Sequence, residues 1–181
     1  ISAFIKSMRG SDPDAALYYL ARMLYAGEDP KFIARRIMIC ASEDVSNADP
    51  MALVVAVNAS LAAERVGMPE AQLILAQAAA YVATAPKSVA TTNAIFEAMK
   101  LVEEQRTASI PPYLQDAHYS DAAKLGHGIG YKYPHLFPGH YVEQQYLPDE
   151  IKDRVFYRPD GQGYEKTIMQ YLEQIGEKKH E

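Results

Sequence analysis

Four histidines, His118, His127, His135 and His140, lie close together in the chain, and imidazoles so grouped could bind a metal ion or move a proton. Their spacing does not support a metal site: no two of them stand one helical turn apart, and no cysteine pair lies nearby. They are expected instead to hydrogen-bond backbone groups of an irregular, proline-rich loop. The run Gly126-His-Gly-Ile-Gly-Tyr-Lys132 has the glycine density of a phosphate cradle. A cradle needs a helix N-terminus behind it, and Pro134 and Pro138 deny the following residues a helix. The glycines therefore predict tight turns that let aromatic residues fold back. Cys40 has no partner for nucleophilic catalysis, and there is neither a Gly-x-Ser-x-Gly elbow nor a Gly-x-x-x-x-Gly-Lys-[Ser/Thr] loop. The carboxylate pairs Glu43-Asp44, Glu103-Glu104 and Asp149-Glu150 read as helix ends or solvated faces. No catalytic, cofactor-binding or metal-ligating residue is expected, and an independent metal-dependent hydrolase is set aside with the histidine spacing.

The chain has 181 residues, 49% hydrophobic and 23% charged, enough to bury a core unaided. Its single cysteine excludes a disulfide framework and fits a reducing cytoplasm, and Cys40 falls in an apolar helical pattern where it packs as a small hydrophobe. No apolar run is expected to span a membrane, and Ile1 starts within a helical pattern without a signal peptide, as in a fragment of a longer protein. The net charge of -5 argues against a strong sequence-independent grip on nucleic acid. The basic doublets Arg35-Arg36 and Lys178-Lys179 read as solvated faces.

Residues 1 to 107 carry clear helix punctuation. Asp12-Pro13, Asp29-Pro30 and Asp49-Pro50 each place a carboxylate where it can accept first-turn N–H groups, followed by a proline where a missing N–H costs nothing. Further starts follow at Met68-Pro69 and at Ser88. The predicted helices run 14 to 26, 31 to 44, 50 to 66, 69 to 84 and 88 to 107, with a shorter one near 2 to 9, joined by short connections as antiparallel hairpins. Neither Pro50 to Ala63 nor Ala71 to Pro86 contains a charge, so these two helices form the centre of the bundle or are covered by another subunit. The helix at 14 to 26, with Leu17, Leu20, Ala21 and Leu24, and that at 88 to 107, with Ile95, Ala98, Met99 and Val102, read as amphipathic outer helices. A helical-repeat array is disfavoured because no repeat signature recurs.

From Ala108 onward lie all five histidines, nine of thirteen tyrosines and six of eleven prolines. Only 164 to 176 reads as helix. So long an irregular segment is ordered against something, and residues 108 to 181 are read as an aromatic arm with a short terminal helix, packed on the same domain as the bundle of residues 1 to 107. Tyrosine brings apolar area with one polar tip, which makes Tyr131, Tyr133, His135, Tyr141 and Tyr146 the candidate arm and interface residues.

The blocks Ile1-Ser-Ala-Phe-Ile-Lys-Ser-Met-Arg-Gly-Ser-Asp-Pro-Asp-Ala-Ala16, Ala41-Ser-Glu-Asp-Val-Ser-Asn-Ala-Asp-Pro50, Ala85-Pro-Lys-Ser88, Gly130-Tyr-Lys-Tyr-Pro-His135 and Gln144-Gln-Tyr-Leu-Pro-Asp-Glu150 resemble the C-terminal region of the replication-associated recombination protein A family, which includes the eukaryotic Werner helicase-interacting ATPase. The pattern departs at Ser46 and His140, where glycine is expected, at Val89, where asparagine is expected, and at Leu136, where aspartate is expected. The resemblance implies an all-α antiparallel bundle similar to a clamp-loader collar, a non-catalytic oligomerisation domain that forms a homotetramer. It implies that ATP and Mg belong to an N-terminal AAA+ part, with no cofactor in this piece. It further implies that the whole protein is cytoplasmic, at the bacterial nucleoid, and meets DNA and other replication proteins at forks in recombination and repair. The alternative is a module that contacts DNA and presents single-stranded or forked DNA to the ATPase.

Overall fold

A computed structural model describes residues 1–105 and 108–177. Arg106, Thr107 and the doublet Lys178-Lys179 lie outside the described residues. Among the described residues there are seven α-helices and no strand, so the expected all-α class holds. They are α1 (Ser2–Arg9), α2 (Pro13–Tyr25), α3 (Pro30–Cys40), α4 (Met51–Val66), α5 (Ala71–Thr84), α6 (Ala90–Glu104) and α7 (Glu165–Glu177). None is long and apolar enough to cross a membrane.

The starts follow from the capping chemistry. Asp12 accepts from the Ala15 N–H at 2.9 Å and Asp29 from the Lys31 N–H at 2.9 Å, each with proline in the first turn. Asp49 accepts from the Met51 N–H at 3.0 Å through one oxygen and from the Tyr81 hydroxyl at 2.8 Å through the other, so the same carboxylate caps α4 and ties it to α5. Ser88 caps α6 by accepting from the Ala90 N–H at 3.2 Å. The fifth helix starts at Ala71, after the turn that contains Pro69.

The chain packs as two compact units. The first comprises Ile1–Ile95 and Tyr157–Gln170, and the second comprises Phe96–Phe156 with the residues from Tyr171. In the first, α5 packs against α1, α2, α3 and α4. Phe4, Met8, Ile33, Ile37, Leu75 and Val82 fill the core with at most 1% of each exposed. Of the two charge-free helices, α5 is the central one, with Ala71, Leu75, Ala78, Ala79, Val82 and Ala83 buried.

The helix expected to reach residue 44 changes hydrogen-bonding register first. α3 ends at Cys40, a π-helical turn occupies Ala41–Val45, and a 3-10 turn follows at Ser46–Ala48. A π turn is wider than an α turn and leaves carbonyls poorly satisfied, so it persists only where other groups complete it. Here the residues at the start of α6 do so: the Ser88 N–H donates to the Asp44 carbonyl at 2.8 Å and the Thr92 hydroxyl to the Glu43 carbonyl at 2.9 Å. Ser46 turns the chain with φ 51° and ψ -133°, a left-handed conformation, while its hydroxyl meets that of Thr91 at 2.5 Å. Glycine was the residue expected at this position, and the backbone explains why. Ser46→Gly is therefore expected to be more stable than Ser46→Ala by about 2 kcal/mol, since both lose the hydroxyl and only alanine keeps the strain. Urea unfolding of the two variants checks this, and equal midpoints would remove the strain from the account.

Within the second unit the backbone runs through five short 3-10 turns, at Pro112–Leu114, Ala123–Leu125, Pro134–Leu136, Pro138–His140 and Asp149–Ile151. Gly126, Gly128 and Gly130 all have positive φ, between 73° and 89°, in line with the expected tight turns. A Cβ on Gly128 would lie 2.5 Å from that of Ala117, so this turn is closed by the absence of a side chain. Side chains tie the irregular segment to itself. Gln144 accepts from the Lys132 N–H at 2.8 Å and donates to its carbonyl at 3.3 Å, and the Tyr113 hydroxyl donates to the Gln145 carbonyl.

Candidate functional site

The feature with the clearest functional content is the outer face of α4. Its inward positions are Ala52, Ala56, Ala59 and Ala63, all buried. Small side chains let α4 approach α5 closely, and they leave the bulky residues pointing away from the chain's own core. Met51, Leu53, Val54, Val57 and Leu61 are between 38% and 52% exposed. A monomer's surface helix carries its large apolar residues inward, whereas α4 carries alanines inward and its large apolar residues outward. The stripe borders a groove of about 340 Å³ between α4 and α5, lined by Val54, Val55, Asn58, Ile74 and Gln77 among others.

The apolar stripe of α6 is open as well. Ile95, Phe96, Met99 and Val102 are between 52% and 66% exposed, and no residue of α6 is buried. The helical period identifies an apolar face and says nothing of what covers it. By contrast, α2 buries Ala16 and Leu20. The rest of its stripe borders a cleft of about 570 Å³ against α5, lined by Leu17, Leu24, Tyr25, Met68, Leu73 and others.

The five arm candidates are gathered on one stretch of the second unit. Tyr131, Tyr133, His135 and Tyr146 are exposed and Tyr141 is half-buried. Tyr133 packs on His135 with ring centres 5.2 Å apart, and His135 on His140 at 4.9 Å. The Tyr146 hydroxyl accepts from the Gln144 amide at 3.1 Å. The histidines depart from expectation in their partners, which are side chains and not backbone. His118 Nδ1 lies 2.5 Å from Asp116, His127 bonds the Tyr119 hydroxyl, and His135 and His140 face each other. Turn hydrogen bonds within the loop satisfy part of its backbone. Among the described residues no group of three or more His, Cys, Asp or Glu could hold a metal ion.

Sequence reasoning missed the buried polar groups that fix the bundle. Asp44, read as a solvated helix end, is 4% exposed and accepts from Arg9 Nε at 2.7 Å and from the Cys40 thiol at 3.4 Å. Burial, reinforced by the Asp44 charge and hydrogen bond, pushes the Cys40 thiol up to about 12, which leaves it without nucleophilic character near neutral pH. Lys87 donates to the carbonyls of Ala83 and Ala85 at 3.0 and 2.5 Å and to the Ser11 hydroxyl at 3.1 Å, and burial lowers its pKa. Glu165, fully buried, accepts from the Ser88 hydroxyl at 2.5 Å and from the Asp160 N–H at 3.0 Å. Ser88 was legible as a cap, but its second role as a donor to a residue 77 positions later was not.

The fold and its open surface thus define an all-helical domain with large apolar side chains turned outward on α4. The family model described as MgsA AAA+ ATPase C terminal matches residues 10–176, and the chain belongs to this family. An uncharacterized AAA domain-containing protein of Mycobacterium tuberculosis is 55% identical over 175 residues, which are 97% of this chain and 39% of that protein. The replication-associated recombination protein A of Bacillus subtilis is 44% identical over 180 residues, 99% of this chain and 42% of that protein. The Escherichia coli K12 protein of the same name is 41% identical over 178 residues, 98% of this chain and 40% of that protein. The chain spans about two fifths of the length of these relatives.

Proposed function

We propose that this domain is the self-association module of a AAA+ ATPase that acts in replication-fork maintenance, recombination and DNA repair. The observation that carries the reading is α4: alanines inward, Met51, Leu53, Val54, Val57 and Leu61 outward. Exposed apolar surface of this kind is costly in water and is covered in assemblies, where it supplies the driving force. The names of the Bacillus subtilis and Escherichia coli relatives support the replication and recombination context. In this reading ATP and Mg are handled by a separate AAA+ part of the longer protein, four copies of the domain assemble, and the assembly works on DNA at forks together with other replication proteins. Tyr131, Tyr133, His135, Tyr141 and Tyr146 brace the arm or contact a neighbouring copy.

Sedimentation velocity of this chain at micromolar concentration tests the reading. A concentration-dependent species heavier than the monomer is expected, with the tetramer as its limit. A clean monomer at every concentration would sink it.

A further inference from the structure

We propose that His135 and His140 form a binding site for a divalent transition metal ion of the zinc class. Their Nδ1 atoms face each other at 3.3 Å. Two imidazole nitrogens bound at 2.0–2.1 Å to one tetrahedral ion stand about 3.3 Å apart, so the pair is already at the separation that shared coordination requires. The backbone sets this geometry. The two residues sit on consecutive 3-10 turns, Pro134–Leu136 and Pro138–His140, each opened by a proline with restricted φ. Gly139 and His140 both adopt left-handed conformations, with φ of 66° and 54°, and the chain thereby bends back and brings ring 140 to ring 135. A side chain costs energy at φ 54°, and a glycine would relieve it; the imidazole is the group that this strained position presents.

The surroundings suit an open site. The Tyr133 ring lies 5.2 Å from that of His135 and restrains its orientation, the role that an outer shell plays for metal ligands. Both histidines are exposed, so an ion reaches them without any rearrangement. Among the described residues no third His, Cys, Asp or Glu completes the set, so water or an added ligand takes the other positions. Imidazole is a good donor for zinc, nickel and copper and a poor one for magnesium or calcium. In the metal-free protein one Nδ1–H donates to the other ring; on binding, that ring changes tautomer, its Nδ1 proton passing to solvent while Nε2 takes one up, so that both neutral rings turn an Nδ1 lone pair to the ion. The result is a clip across the two proline turns, a property separate from self-association.

The test is isothermal titration of the chain with zinc chloride in a non-coordinating buffer, in a His180→Ala background so that the tail imidazole does not contribute. One saturable ion per chain is expected, with affinity at least about tenfold weaker in both His135→Ala and His140→Gly. His118→Ala/His127→Ala is expected to bind as the parent does. Glycine fits the backbone at position 140, so that variant folds, and thermal melting without zinc should place it at or above the parent. Zinc should then raise the parent's melting temperature and leave His140→Gly where it is, reversibly with EDTA. No saturable uptake, or uptake unchanged in both histidine variants, overturns the site.

Discussion

Gly163→Ala is expected to destabilise the first unit by about 4 kcal/mol. Gly163 has φ 54°, and a Cβ built there would stand 2.1 Å from the Ala48 carbonyl oxygen and 2.7 Å from Pro86. The first of these is backbone, and it cannot retreat freely, because the Tyr164 N–H donates to that same oxygen at 2.8 Å. Residues 157–170 must therefore lift away, carrying Glu165 from the Ser88 hydroxyl and leaving a buried carboxylate without its donor. Gly161→Ala is the control. It has a similarly left-handed φ of 84°, but its new Cβ would meet only Met169 Sδ at 3.4 Å. Its cost is expected to be about 1 kcal/mol, the conformational part alone. Urea unfolding followed by circular dichroism separates the two, and similar midpoints for both alanine variants would refute the close-approach argument.

The paired change Val54→Glu and Leu61→Glu is expected to weaken self-association by about a thousandfold, or about 4 kcal/mol, while the monomer keeps its helical content. Both residues are half-exposed in the isolated chain, at 50% and 52%, so glutamate there remains hydrated in the monomer. In an assembly that covers this face, the same carboxylates lose their water and find no partner, which is the costly case. Sedimentation reads the association and circular dichroism the fold. An assembly that survives both glutamates would move the interface elsewhere, with the open stripe of α6 as the next face to alter.

What could be read from residue types was what is local. Asp12, Asp29 and Asp49 cap their helices as the Asp-Pro pairs suggested, because a cap involves groups two or three residues apart. The charge-free helices were visible too, and so was the choice they posed between a central position and cover by another subunit. The structure divides it: α5 is central and α4 turns its bulky face outward. The division depends on which neighbours each helix finds, and alanines pack inward as readily as leucines. The π turn at Ala41–Val45 left no mark in the sequence, since its support comes from Ser88 and Thr92, more than 40 residues later. Asp44 looked like a solvated acid because its cation, Arg9, stands 35 positions earlier. The positive φ of Ser46 and His140 was legible only obliquely, as two places where the family pattern favours glycine.

The pairing of Ser88 with Glu165 bears on the order in which the chain acquires its structure. A chain emerging from the ribosome can assemble α1 to α5 early, because all the residues of these helices lie before position 85. It cannot satisfy the Ser88 hydroxyl with Glu165, seat Tyr164 on Ala48 or fill the space that Gly163 leaves until residues 163 to 165 have been made. Contacts so far apart in sequence carry the larger loop-closure cost. Until then the surface beside Ser88 and Pro86 stays wet, and the start of α6 is held from one side only. Completion of the bundle is thus a report, delivered to its centre, that synthesis has passed residue 165.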